Sequence, residues 1–159
     1  MMNKIIRTTL ITLLLTFAAH AAAQQGLQIA TVFQKYGKQK GVTMVELSNE
    51  MLETYQMTLY KSLVFKDASD ALPTILRCLE ADKKKAKKVK EVVSNGQIKS
   101  GYYQLPQLKE DVNRFILFKT GKKDSATLIY IEGELDADDL DHHVIHEERN
   151  KKTDKEIRI

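Results

Sequence analysis

Nothing later in the sequence limits the folding chain as much as its first two dozen residues. Lys4 and Arg7 precede an apolar run from Leu10 to Ala19, and Ala21-Ala22-Ala23 follows with the small side chains that a signal peptidase requires. This is the pattern of a cleavable secretory signal peptide over residues 1–23. Ala19-His20-Ala21 is a second possible cleavage site, so the boundary moves by about two residues between the two readings. The apolar run is shorter than the ~20 residues that a membrane-crossing helix needs, although an uncleaved anchor is the alternative. Cleavage near Ala23 would deliver the rest to the periplasm or beyond. No cysteine stands at the cleavage point to carry a lipid, since the only one is Cys78.

Removing 23 residues from 159 leaves 136, enough for one domain with a real core and too few for two. The cut also changes the charge. The precursor has 25 Lys and Arg against 21 Asp and Glu; without Lys4 and Arg7 the balance is close to neutral. A single cysteine makes no internal disulfide, and Cys78 sits in the apolar stretch Leu72-Pro73-Thr74-Ile75-Leu76-Arg77-Cys78-Leu79, so it is expected to be buried.

Along the mature chain the periodicity changes twice. Residues 27–36 carry apolar side chains at helical spacing and stop at Gly37, which predicts a short amphipathic helix. Val42 to Ser48 is rich in β-formers and predicts a strand. Ser48 or Asn49 then caps a helix over Glu50 to Tyr55, and Met57 to Phe65 reads as a further strand. Ser69 reads as a helix cap with Pro73 in the first turn. Leu72, Ile75, Leu76 and Leu79 form one stripe, and Ala86, Val89, Val92 and Val93 a second that ends at Asn95-Gly96. The spacing thus predicts helix over Asp70–Ser94, either continuous or broken near Asp82.

From Ile98 the period becomes that of strands. Arg114–Lys119 and Thr127–Ile131 flank a polar, glycine-containing loop, which predicts an antiparallel hairpin. Asp136 to His146 predicts a short helix, and 147–159 is a charged tail expected to be disordered. The expected architecture is α+β: an antiparallel sheet of about four or five strands packed against two to four helices, in one domain over 24–146.

Phe33-Gln34-Lys35-Tyr36 before Gly41-Val42-Thr43, the two strands of that hairpin, and Glu132-Gly133-Glu134-Leu135-Asp136 leading to Asp139-Leu140 occur in order. In this the chain resembles the exported α+β domain families of Bacteroidota that have no assigned function. The resemblance covers the mature chain to about His142. It implies an antiparallel sheet packed with helices and work outside the cytoplasm, and it supplies no catalytic residues.

Two clusters are candidates for chemistry. The run Lys83-Lys84-Lys85-Ala86-Lys87-Lys88-Val89-Lys90 would, on a helix, turn its alanine and valines inward and fan its lysines outward. Lys83, Lys84, Lys87 and Lys88 are then candidates for a polyanion or an anionic envelope surface. Lysine without arginine suits diffuse charge attraction, no aromatic side chains interleave the run for base stacking, and export removes nucleic acid as a partner. The bland reading is a solvated helix face.

The second cluster is His142, His143, His146, Glu147 and Glu148. His142 and His146 share a helix face, and with Glu147 they could hold a transition metal. The order is not His-Glu-x-x-His, and the preceding aspartates fail as a calcium loop because Leu140 stands where a ligand belongs. The bland reading is an acidic helix start running into a polar tail. Tyr102, Tyr103 and Tyr130 line a groove or, more often for strand aromatics, pack.

No nucleophile elbow, phosphate loop or dinucleotide fingerprint exists, and no cofactor is called for. The leading reading is a non-enzymatic binding or interaction module, with an envelope protein or an anionic surface as the candidate partner. The alternatives are a small metal-dependent or hydrolase-like enzyme built on His142–Glu148 and an envelope signalling or stress accessory. Charge is unevenly spread: residues 24–123 are strongly basic and 124–159 strongly acidic. The acidic segment is therefore expected to fold over the lysines or to pair with them between molecules.

Overall fold

The structure is a computed structural model that describes residues 26–140. Six segments, each with at least three β-branched or aromatic residues, are strands: β1 Val42–Ser48, β2 Met57–Phe65, β3 Lys88–Ser94, β4 Gln97–Leu105, β5 Asn113–Thr120 and β6 Ala126–Gly133. Among the described residues two α-helices accompany them, α1 Ile29–Tyr36 before β1 and α2 Leu72–Lys83 between β2 and β3. The strands form one sheet in the order β1-β2-β6-β5-β4-β3, antiparallel at every junction. Strands β3 to β6 are a meander of hairpins, and α2 carries the chain across the sheet from β2 to the far edge at β3.

The fold class and the β5–β6 hairpin agree with the sequence reading; the strand count exceeds it by at least one. The extra strand is β3, which the spacing had placed on a helix. The helix ends at Lys83 because Val89, Val92 and Val93 are β-branched and face an adjacent strand. Asn95 and Gly96 both take positive φ, 52° and 72°, the geometry of a tight two-residue hairpin turn rather than a helix stop. The second apolar stripe accordingly is not buried: Val92 is 59 % exposed and Val93 55 %.

Two further expectations change. The stretch read as a helix over Glu50–Tyr55 is two single 3₁₀ turns, Asn49–Met51 and Glu53–Tyr55. Ser69 does not cap α2. Its N–H and hydroxyl both donate to the Asp67 carboxylate, and α2 starts after Ala71 with no side-chain cap, its proline where expected.

Both helices lie on one face of the sheet. There Ile29, Val32 and Phe33 of α1 and Ile75, Cys78 and Leu79 of α2 meet Leu63 and Phe65 of β2, Tyr103 and Leu105 of β4, Ile116 and Phe118 of β5 and Leu128 and Tyr130 of β6. Cys78 is a buried free thiol, as its apolar neighbours suggested. A second, smaller cluster forms on the opposite face from Phe115, Ile131, Leu135 and Leu140, where the chain beyond β6 turns back and takes one helical turn at 137–140.

Candidate functional site

The titratable groups buried on the helix-covered face are engaged in holding the fold. Asp82, fully buried at the end of α2, accepts the backbone N–H groups of Gln28 (2.7 Å) and Ile29 (2.9 Å) and so closes the start of α1. Burial raises its pKa, and the two N–H bonds do not fully offset that. Glu91 of β3 is held from both sides, by Lys83 Nζ at 2.8 Å and by the Tyr103 hydroxyl at 2.8 Å. Burial pushes its pKa up, but these bonds outweigh it, and the net shift is downward.

The Tyr103 ring lies along its own strand to reach Glu91. That path exists because residue 101 is glycine: a Cβ there would stand 2.7 Å from two ring carbons. Toward the other end of this face the Tyr130 hydroxyl donates to Glu132 at 2.6 Å, and Arg114 Nε donates to the Pro106 carbonyl at 2.8 Å. Desolvation raises the Glu132 pKa despite the Tyr130 bond and the nearby Arg114 and Lys61 charges. Lys61 pairs with Glu46 at 3.4 Å.

The opposite face is different in kind. Strand register aligns its outward side chains in three rows that cross the whole sheet. The first is Leu47, Tyr60, Ile131, Phe115, Gln104 and Lys88; the second Val45, Ser62, Ile129, Leu117, Tyr102 and Lys90; the third Thr43, Val64, Thr127, Lys119, Ser100 and Val92. Leu135 and Leu140 sit on the centre of the first row, where Ile131 and Phe115 are buried. Asn113 Nδ2 donates to the Leu135 carbonyl at 3.1 Å and fastens that crossing. Cover fades beyond it. In the middle row Ile129, Leu117 and Tyr102 are half-buried and Val45 is 38 % exposed; in the third, Val64 is 43 % and Val92 59 % exposed.

The lysine run is not one helix face. Lys83 ends α2 and is tied to Glu91 and Glu80; Lys84 follows it; Lys85 donates to the Gly26 carbonyl; Lys87 leads into β3 and Lys88 begins it. Lys84, Lys87 and Lys88 are exposed but are spread over a helix end, a turn and a strand. Strand pairing then puts Lys88 and Lys90, with Lys119, on the open face, and the Lys90 ammonium stands 5.7 Å from the centre of the Tyr102 ring. Of the tyrosines, Tyr103 and Tyr130 pack in the core, and Tyr102 belongs to the open face.

The candidate metal ligands His142, His146 and Glu147 lie outside the described residues, as do residues 1–23, where a signal peptide was expected. Among the described residues no three His, Cys, Asp or Glu side chains come together as a metal site would need. No helix among them is long and apolar enough to cross a membrane. The sequence reading missed Asp82, Glu91 and the middle row. The row's signals are the unbroken apolar runs Phe115–Phe118 in β5 and Leu128–Ile131 in β6, since a strand covered on one face only would alternate.

Comparison with known proteins adds a family. A profile of a family of unknown function (DUF6108) matches residues 16–144. The chain belongs to this family. A search of curated proteins finds no match. Among solved structures, the crystal structure of a Pseudomonas aeruginosa protein of unknown function, described as a candidate regulator, shares 15 % identity over 73 % of this chain and 83 % of that one, with a TM-score of 0.34.

Proposed function

We propose that this family member is an exported, non-enzymatic interaction module that works in the periplasm or beyond it, and that its contact surface is the open face of the sheet. The observation that carries the reading is the middle row. Tyr60 from the first row joins Ile129, Leu117 and Tyr102 in one half-buried apolar strip, with Lys88, Lys90 and Lys119 beside it. Aromatic and aliphatic side chains flanked by cations suit an acidic, partly apolar protein segment of the envelope. The buried acids and tyrosines of the other face are already bonded to the protein's own groups, which argues for scaffold over catalysis.

Two measurements test this. Mass spectrometry of the protein from its native cells is expected to find the chain starting near Gln24, in the envelope or outside it; an intact Met1 in the cytosol sinks the export half. A photo-crosslinker placed at Val64 in the full-length protein is expected to capture a partner whose binding is reproduced with purified components and weakened by Lys88→Glu with Lys90→Glu. A partner that binds equally well to the charge-reversed protein refutes the assigned surface.

A further inference from the structure

We propose that the outer edge of β1 pairs with the same edge of a second copy of this chain, antiparallel and about a twofold axis at Val45, so that two six-stranded sheets join into one. The two edges of the sheet differ. β3 is defended: Lys88 and Lys90 are exposed along it, and its register shifts between Val92 and Val93. Lysines and a bulge keep an edge strand from adding another strand. β1 has neither. Its seven residues include no lysine or proline, and they pair with β2 from Val42↔Phe65 to Ser48↔Leu59 without a shift. Met44 and Val45 are each 38 % exposed on it. The backbone of this edge is available as well. The Lys66 N–H donates to the Gly41 carbonyl, which sets the phase of the antiparallel ladder. Thr43, Val45 and Leu47 therefore bond to β2, and the N–H and C=O groups of Met44 and Glu46 point away from the sheet.

Charge identifies the occupant. Lys38 and Lys40 lie just before β1, Glu50 and Glu53 just after it, and all four are exposed. Among the described residues none of the four enters an ion pair. Glu46, the only charged residue of the strand itself, is already paired with Lys61. An edge that is basic at one end and acidic at the other matches its own copy when the two run antiparallel. One register satisfies backbone and charge together. With Val45 facing Val45 of the second copy, Met44 and Glu46 exchange backbone hydrogen bonds in both directions, and Thr43 faces Leu47. The same register brings Lys40 of each copy to Glu50 of the other. Moving the partner by two residues one way sets Glu46 against Glu46 of the second copy. Moving it the other way calls on the Val42 N–H, which already donates to the Gln39 carbonyl. The axis stands perpendicular to the sheet, so the middle row of the open face runs on through Val45 into the middle row of the second copy. The pairing itself does not depend on that face being the contact surface.

Sedimentation equilibrium of the full mature chain is expected to show dimers forming by about 0.1 mM, the range of a weak edge contact. A monomer throughout overturns the proposal, whether the edge is left to a strand of another protein or to another part of this chain. Lys40→Glu and Glu50→Lys change exposed side chains outside β1. Each is expected to weaken dimerisation about tenfold, as exposed pairs turned from attraction to repulsion would. Mixing the two variants is expected to restore the dimer as a mixed species, because both Lys–Glu contacts are then remade. A dimer indifferent to either change, or a mixture no tighter than its components, overturns the proposed pairing. Val45→Cys is expected to close an interchain disulfide under mild oxidation, since facing residues of this kind stand about 4.5 Å apart between Cα atoms. Val64→Cys, on the same face but one strand further in, is expected to stay reduced. Cross-linking at Val64 with none at Val45 would place the dimer contact on the open face and overturn the edge pairing.

Discussion

Asp82 is the residue whose loss the structure prices most directly. It joins the end of α2 to the start of α1, through N–H bonds of 2.7 and 2.9 Å across more than fifty residues of sequence, in a site without solvent exposure. Asp82→Ala leaves the buried Ile29 N–H and the part-buried Gln28 N–H without their acceptor, at up to about 1–3 kcal/mol each, and returns the desolvation that the carboxylate suffered, for a net loss of about 2–3 kcal/mol. At about 3–4 °C per kcal/mol for a domain of this size, the thermal midpoint falls by about 6–12 °C. Asp82→Asn keeps an acceptor and is expected to cost less, about 1 kcal/mol. The pH dependence gives an independent sign. Because the folded-state pKa of Asp82 is raised, the native protein holds this proton to higher pH than the unfolded chain does. The Asp82 contribution to stability therefore declines as pH rises from about 3.8, the unfolded value, through the folded one, and is constant above it. Urea unfolding followed by circular dichroism, at several pH values, checks both parts, and amide exchange at Gln28 and Ile29 localises the effect. An alanine variant within about 0.5 kcal/mol of the native protein, with unchanged exchange at those amides, would show that the bridge does not hold α1.

Two further substitutions probe the edge that carries the lysines. Glu91→Gln weakens the link from Lys83 to Tyr103 and is expected to cost about 1–2 kcal/mol at neutral pH. Its pKa is lowered in the fold, so the native protein should lose this contribution as pH drops below 4.5 while the glutamine variant does not; parallel acid unfolding curves for the two would contradict the assignment. Gly96→Ala meets no atom within 4 Å of the added Cβ but forces a side chain onto a φ of +72°, at about 1–2 kcal/mol. The β3 amides should then exchange faster than those of β5 and β6, and uniform exchange would show that the turn does not set the hairpin.

What could be read in advance followed from local chemistry. Val42–Ser48, Met57–Phe65 and the β5–β6 hairpin carry β-formers next to turn residues, and α1 carries helical spacing up to Gly37, so each declares itself within a dozen residues. The failure at β3 is instructive because both readings were locally consistent. Ala86, Val89 and Val93 sit at helical intervals, the lysines favour helix, and an Asn-Gly pair ends helices as well as turning hairpins. The choice is made by β4, whose Tyr103 and Gly101 offer a partner strand and a buried hydroxyl for Glu91. That is a tertiary preference, and within 83–94 only the β-branched Val89, Val92 and Val93 point toward it.

The candidate surface was illegible for the same reason. Tyr60, Ile129, Leu117 and Tyr102 come from four strands and become one strip only through register. The lysines called out as a helix face kept their charge but changed their geometry. As parts of β3, Lys88 and Lys90 point to the side of the sheet opposite α1 and α2, toward the strip. The described chain also ends on this face, with Leu140 packed against the buried centre of the first row. The strand at the β3 edge, where the helix was expected, is what turns Lys88 and Lys90 toward the strip, because alternate residues of a strand face opposite sides of its sheet.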